Sequence, residues 1–138
     1  MKSFYIGVKG IILQDNNVLL LKRIKQGTYF WDAPGGRIDE GENIEDALKR
    51  ELSEEIGVSE ITIGRLLEAY NLPHPIENDH SLLLIFYQVT GNIQRVILSS
   101  EHEDSIWVHK DDIEEFFQKE EKHINKGTQQ AIHTVFTQ

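Results

Sequence analysis

The sequence predicts an α/β fold, a mixed β-sheet covered by helices on both faces. Three observations predict it. Two apolar runs of strand length flank an Asp15-Asn16-Asn17 turn near the start of the chain. One segment with helical spacing follows at 43–56, and more strand-length runs come after it. Two further helical segments close the chain.

The elements follow in order. Phe4, Ile6, Val8, Ile11, Ile12 and Leu13 mark a strand over 4–13, and Val18 to Leu21 a second, so the pair reads as a β-hairpin. Residues 24–42 read as loop, with Gly27, Pro34, Gly35, Gly36 and Gly41; only Tyr29 to Trp31 suggests a short strand. At Asn43 the pattern turns helical. Asn43 is placed to cap the helix, with Asp46 as its capping-box partner. Ile44, Leu48, Leu52 and Ile56 recur at four-residue spacing, and Gly57 stands where helices end in a left-handed residue. Strands are predicted at 60–70 and 81–89, separated by a loop over 71–80 that carries His74, Glu77, Asp79 and His80. Ile106 to Val108 is a short strand, and 111–119 and 124–136 are helices.

The 138 residues suit one compact domain, 1–138. Hydrophobic residues at 39 % and charged ones at 27 % describe a globular chain. The absence of cysteine excludes disulfides, a thiol nucleophile and Cys-ligated metals. No apolar run approaches the roughly 20 residues that span a bilayer, and the first residues lack a signal-peptide core. A cytoplasmic protein with no membrane partner is expected. The net charge of −9 opposes extended binding of DNA or RNA. A phosphorylated substrate would need a divalent cation to join it to so acidic a protein.

The helix at 43–56 carries most of the chemistry. At about 100° per residue, Glu51 and Glu55 lie about 40° apart and Glu54 about 60° to the other side of Glu51. Glu51 and Glu55 point into the arc defined by Ile44, Leu48 and Leu52, away from the polar back at Lys49 and Ser53. One reading is a solvated acidic face stitched by Glu45–Lys49, Asp46–Arg50 and Arg50–Glu54 pairs. The angular placement favours another, because partly buried like charges one turn apart repel. A hard divalent cation removes that cost, since Mg²⁺ and Mn²⁺ prefer carboxylates. The preceding Pro34-Gly35-Gly36 allows close backbone approach, which makes the Gly35 carbonyl a candidate for the same oxygen shell.

These residues form a larger pattern. Gly36, five residues, Glu42, seven residues, Arg50-Glu51-Leu52, then Glu54-Glu55, Gly57 and Val58 resemble the Nudix box over 36–58, and Trp31 to Gly36 precede it as in that family. The chain is identified as a member of the MutT-like Nudix hydrolases. The resemblance implies a Nudix-type α/β/α sandwich that hydrolyses a nucleoside diphosphate linked to another moiety. The first expectation is a nucleoside triphosphate, ordinary or modified, cleaved to a monophosphate and pyrophosphate. The alternatives are an ADP-ribose, nucleotide-sugar or dinucleoside polyphosphate hydrolase, an enzyme acting on a capped RNA end, or a catalytically silent nucleotide-sensing module. Carried over, Glu51, Glu54 and Glu55 are metal ligands with the Gly35 carbonyl, for Mg²⁺ or Mn²⁺. Arg50 and Glu42 are the supporting pair, and Gly36 and Gly57 support the site.

Family members differ in where the base sits. Glu54 is the box candidate here, and Glu101, then Glu103, the candidates on the later acidic loop, Ser99 to Val108. Ile106 stands where some dGTP-cleaning relatives have a glutamate. Arg23 and Trp31 are candidate substrate contacts. Trp31, Phe30, Tyr70, Phe86 and Trp107 are each expected in the core before they are expected to stack a base. Pro73 and Pro75 flank, without matching, the proline spacing of ADP-ribose-cleaving relatives. His123 and His133 are placed on the terminal helix and given no role. Homodimers are common in the family; the sequence does not decide oligomeric state.

Overall fold

Asp15 and Asn16 take φ of 52° and 62°, the left-handed pair that a two-residue type I′ turn requires. They fold β1 (Ser3–Gln14) back onto β2 (Asn17–Lys25) in the computed structural model, which describes residues 3–73 and 80–137. Gln26 (54°) and Gly27 (79°) repeat the device and turn β2 onto β3 (Thr28–Asp32). Gly35–Arg37 then forms β4, antiparallel to β1 at Gly7–Lys9. The short strand expected at Tyr29 to Trp31 is β3, and the rest of the loop expected over 24–42 is corrected: it holds the end of β2 and all of β4. Its glycines sit in a hairpin turn and against a neighbouring strand, where local composition resembles loop.

After α1 (Ile44–Ile56) come β5 (Ile61–Asn71) and β6 (His80–Gly91), antiparallel to each other. β6 runs parallel to β1 from Ser3 to Ile12, which makes the sheet mixed. β7 (Asp104–His109) pairs with β2. The strand order is β3-β2-β1-β6-β5, with β4 joined to β1 and β7 to β2. A 3-10 turn at Lys110–Asp112 leads into α2 (Ile113–Lys119), and another at Glu121–His123 precedes α3 (Lys126–Phe136). His123 thus lies before the last helix, which starts at its Asn125 cap. His80, expected on a loop, opens β6 beside Tyr5 and Ser3. The readings of His74, Pro75, Glu77 and Asp79 lie outside the described residues.

The β2 run Val18-Leu19-Leu20-Leu21 is buried at every position, as a strand with both faces covered must be. Val18 and Leu20 pack with Ile113, Phe117, Ile132 and Val135 of α2 and α3. Leu19 and Leu21 pack with Ala47, Leu48, Leu52 and Ile56 of α1. This is the expected α/β/α sandwich. Its two cores take Trp31 and Phe86 on one side and Trp107 at the margin of the other. Phe30, expected inside, is 41 % exposed on the β3 edge strand.

α1 is capped as its sequence demands. Asn43 accepts from the Asp46 N–H at 2.8 Å, a cap worth about 1 kcal/mol. Asp46 takes the Asn43 amide at 3.0 Å, so it serves the cap rather than Arg50. Gly57 ends the helix at φ 70°, its N–H reaching the Ser53 carbonyl. Two of the last free carbonyls are satisfied from afar: Ile97 N–H donates to Ile56 and Ser99 N–H to Glu55, both at 3.0 Å. The segment between β6 and β7 is thereby strapped across the end of α1.

Candidate active site

The site is made where α1 meets Pro34 and the Gly35-Gly36 start of β4. Gly35 has φ 143°, and a Cβ there would lie 2.0 Å from the Val8 carbonyl oxygen. A Cβ on Gly36 would lie 2.4 Å from the Glu51 carboxyl carbon. Only glycine at both positions lets the helix carboxylates settle against the sheet. Gly35 N–H completes the contact by donating to Glu55 Oε1 at 2.5 Å.

The rotation read from the sequence holds. Glu55 and Glu51 side chains are 11 % and 16 % exposed, while Glu54 is 59 % exposed. Burial pushes the Glu55 carboxyl up to about 7; the nearby Lys9 charge and the Gly35 N–H oppose that rise, and Glu51 and Asp32 add to it. Lys9 lies close by on β1. Its ammonium donates to Asp32 Oδ2 at 2.9 Å and to the Ala33 carbonyl at 3.3 Å. Burial alone would lower the Lys9 pKa, but Asp32 and Glu55 outweigh it and the pKa is raised.

Arg50 organises the outer side. It forks onto Glu42 through Nε–Oε2 at 2.7 Å and Nη2–Oε1 at 2.9 Å. Its Nη1 reaches Glu51 Oε1 at 2.9 Å and Glu54 Oε2 at 3.5 Å. The Arg50 bonds, with the Asp39 N–H, hold the Glu42 carboxyl down at about 2. One guanidinium thus partly offsets the like charge of three carboxylates, Glu42, Glu51 and Glu54.

A cavity of about 700 Å³ opens beside these groups. Gly35, Gly36, Glu51, Glu54, Glu55, Arg23 and Glu101 all line it. Leu72, Leu82 and Leu84 supply an apolar wall, and Arg23, Lys25 and Arg37 add positive charge. Glu101 is exposed and stands 4.0 Å from Arg23. Glu103 does not line the cavity; its N–H is used by the Lys22 carbonyl at 2.9 Å. Gly57 acts as a helix cap. Trp31 is corrected: it is 8 % exposed, packs edge-on to Phe116 and does not line the cavity, so it is a core residue.

Among the cavity-lining residues that sequence reading did not single out are Lys9, Asp32, His102 and Asn125. Lys9 interrupts an otherwise apolar strand, and that was the available signal. His102 is 6 % exposed with Nε2 3.4 Å from Glu55 Oε2, and burial lowers its pKa. Asn125 caps α3 by accepting from Thr128 N–H at 2.7 Å.

The donor set suits a hard divalent cation: carboxylate oxygens, one nearly buried, with a backbone cradle that a Cβ would fill. Among the described residues no three acidic or histidine side chains are already drawn into a closed shell. Glu51 and Glu54 turn towards Arg50 instead, and a cation would compete with that guanidinium for them. Among the described residues no helix is long and apolar enough to cross a membrane.

Known proteins resemble this chain in sequence and fold. The NUDIX domain family model matches residues 5–128. An 8-oxo-dGTP diphosphatase of Proteus vulgaris is 35 % identical over 91 residues, covering 64 % of this chain and 78 % of that one. An 8-oxo-dGTP diphosphatase of Buchnera aphidicola is 28 % identical over 128 residues, covering 91 % and 93 %. The solution structure of the E. coli ORF135 protein superposes with a TM-score of 0.79 at 22 % identity, over 99 % of this chain and 91 % of that one. With the glutamate helix, its glycine cradle and the family match in agreement, the chain belongs to the Nudix hydrolases.

Proposed function

We propose that this protein is a Mg²⁺-dependent pyrophosphohydrolase of a nucleoside triphosphate, ordinary or modified, releasing a nucleoside monophosphate and pyrophosphate. One observation carries the reading. Glu51, Glu54 and Glu55 from one helix open, with Gly35, onto a cavity that also has an apolar wall of Leu72, Leu82 and Leu84 and the cations Lys9, Arg23, Lys25 and Arg37 beside Asp32 and Glu101. Such a cavity accepts a base on one side and a phosphate chain on the other. The relatives named 8-oxo-dGTP diphosphatase support it.

In this reading Glu51, Glu54, Glu55 and the Gly35 carbonyl hold Mg²⁺, or Mn²⁺ in its place. The bound cation would neutralise the phosphate oxygens and acidify a water. The chain's own groups do the rest. Arg50, anchored by Glu42, keeps Glu51 and Glu54 in register. Arg23 receives phosphate oxygens at the rim. Glu54, the most exposed of the three, accepts the proton of the attacking water as its oxygen bonds to phosphorus. The bridging P–O bond then breaks and pyrophosphate leaves. Glu101, held near Arg23, is the second candidate for that proton. The substrate is a small nucleotide, and residues 1–138 act as one domain.

The test is product analysis over a panel of ordinary and oxidised nucleoside triphosphates, ADP-ribose and dinucleoside polyphosphates with Mg²⁺. Monophosphate and pyrophosphate from a triphosphate are expected. Preferred turnover of ADP-ribose or a dinucleotide would move the substrate class. Tight nucleotide binding without turnover in Mg²⁺ or Mn²⁺ would identify a sensing module.

A further inference from the structure

The strap between β6 and β7 holds Glu55 at two points. Ser99 N–H donates to the Glu55 main-chain carbonyl at 3.0 Å. Three residues on, His102 turns its imidazole back to the side chain of the same glutamate, with Nε2 3.4 Å from Oε2. The ring has little freedom. Its side chain is 6 % exposed, Nδ1 is 3.4 Å from Ser99 Oγ, and its own N–H is bonded to the Ser99 carbonyl. The next residue is fixed as well, since Glu103 N–H donates to Lys22 on β2.

Ser99 Oγ faces Nδ1 and Glu55 Oε2 faces Nε2; a neutral ring with its proton on Nε2 would accept from the hydroxyl and donate to the carboxylate. Glu55 is thus approached from two unconnected segments: Gly35 N–H donates to Oε1, and the His102 ring stands 3.4 Å from Oε2. A buried histidine that merely filled space would turn its carbon edge to an apolar neighbour. This one faces two polar atoms and lines the cavity.

We propose that His102 is a positioning residue whose Nε2–H fixes the plane of the Glu55 carboxylate and locks the Glu101 loop to the glutamate helix. The proposal rests on the functional reading above, in which Glu55 binds the cation. Donors behind a metal-binding carboxylate set its orientation, and their loss typically lowers metal affinity or activity about 10–100-fold. Glu101 gains its place over the cavity from the same anchor, being the neighbour of His102.

The experiment compares His102→Gln with His102→Asn. A glutamine amide reaches the position of Nε2, whereas an asparagine amide replaces only the Nδ1 side. Mn²⁺ affinity is measured by titration calorimetry without nucleotide, and kcat, KM and the Mg²⁺ midpoint are measured with it. Expected for His102→Asn is about a tenfold loss of Mn²⁺ affinity, a matching rise in Mg²⁺ midpoint, lower kcat and unchanged nucleotide KM. His102→Gln should keep Mn²⁺ affinity within about threefold of wild type. Equal Mn²⁺ affinities in both variants overturn the inference, and so does equal impairment that follows a common fall in Tm. A wild-type protein that binds Mn²⁺ and turns over nucleotide alongside unaffected variants refutes His102 alone. A wild type that does neither refutes the functional reading and this inference with it.

Discussion

Replacing Glu55 by glutamine should stabilise the metal-free protein at high pH and not at low pH. The folded carboxyl is raised from 4.5 to about 7 by burial. A group whose folded pKa is raised binds its proton more tightly when folded. Its favourable contribution is complete below 4.5 and is lost as pH climbs through about 7. The gap of roughly 2.5 units corresponds to about 3 kcal/mol at pH 8. Glutamine carries no such charge and still accepts from Gly35 N–H. Thermal melts of both proteins in EDTA from pH 5 to 9 provide the assay. Relative to Glu55→Gln, wild type should lose about 10 °C between pH 5 and 8, at roughly 3–5 °C per kcal/mol for this chain length. The His102 shift has the opposite sign and is common to both proteins, so the comparison largely removes it. Millimolar Mg²⁺ at pH 8 should restore the wild-type Tm and leave the variant unmoved. Parallel melting curves across the pH range would refute the buried-charge argument.

Three further outcomes are expected. Glu54→Gln should lower kcat by about 10² or more while leaving Tm nearly unchanged, because the side chain is exposed; near-normal turnover would remove it from the proton-transfer role. Gly36→Ala should displace Glu51, since its Cβ would sit 2.4 Å from that carboxyl carbon; weaker Mn²⁺ binding in calorimetry checks it, and wild-type affinity would contradict the cradle. Arg50→Lys should lose the fork onto Glu42 and its reach to Glu51, costing at least tenfold in kcat/KM, with full activity as the contrary result.

What was legible in the sequence was local. Asn43, Gly57 and the four-residue apolar spacing define α1 within one segment, and helix rotation alone placed Glu51 and Glu55 inward; the exposure of Glu54 is seen only in the structure. The Asp15-Asn16 turn announced the hairpin for the same reason. Arg50 and Glu42 are eight residues apart, close enough for the box pattern to pair them. The misreadings have non-local causes. β4 is a strand only because β1, some thirty residues earlier, pairs with Gly35–Arg37; its glycines carry no strand preference of their own. Lys9 and His102 come near Glu55 through the sheet and the strap, so beyond the one charge in an apolar strand nothing near them in sequence signals the neighbourhood. Trp31 and Phe30 are adjacent aromatics on opposite faces of an edge strand, and composition does not say which one the core takes.

The central claim is that three glutamates of one helix share a cation which the reaction requires. Mn²⁺ titration of wild type and of the Glu51→Gln/Glu54→Gln/Glu55→Gln protein, followed by turnover assays on the same samples, tests it directly. Saturable Mn²⁺ binding and nucleotide hydrolysis in wild type, both absent from the folded triple variant and both abolished by EDTA, are predicted. Equal Mn²⁺ binding by the two proteins, or hydrolysis that survives chelation, would contradict it.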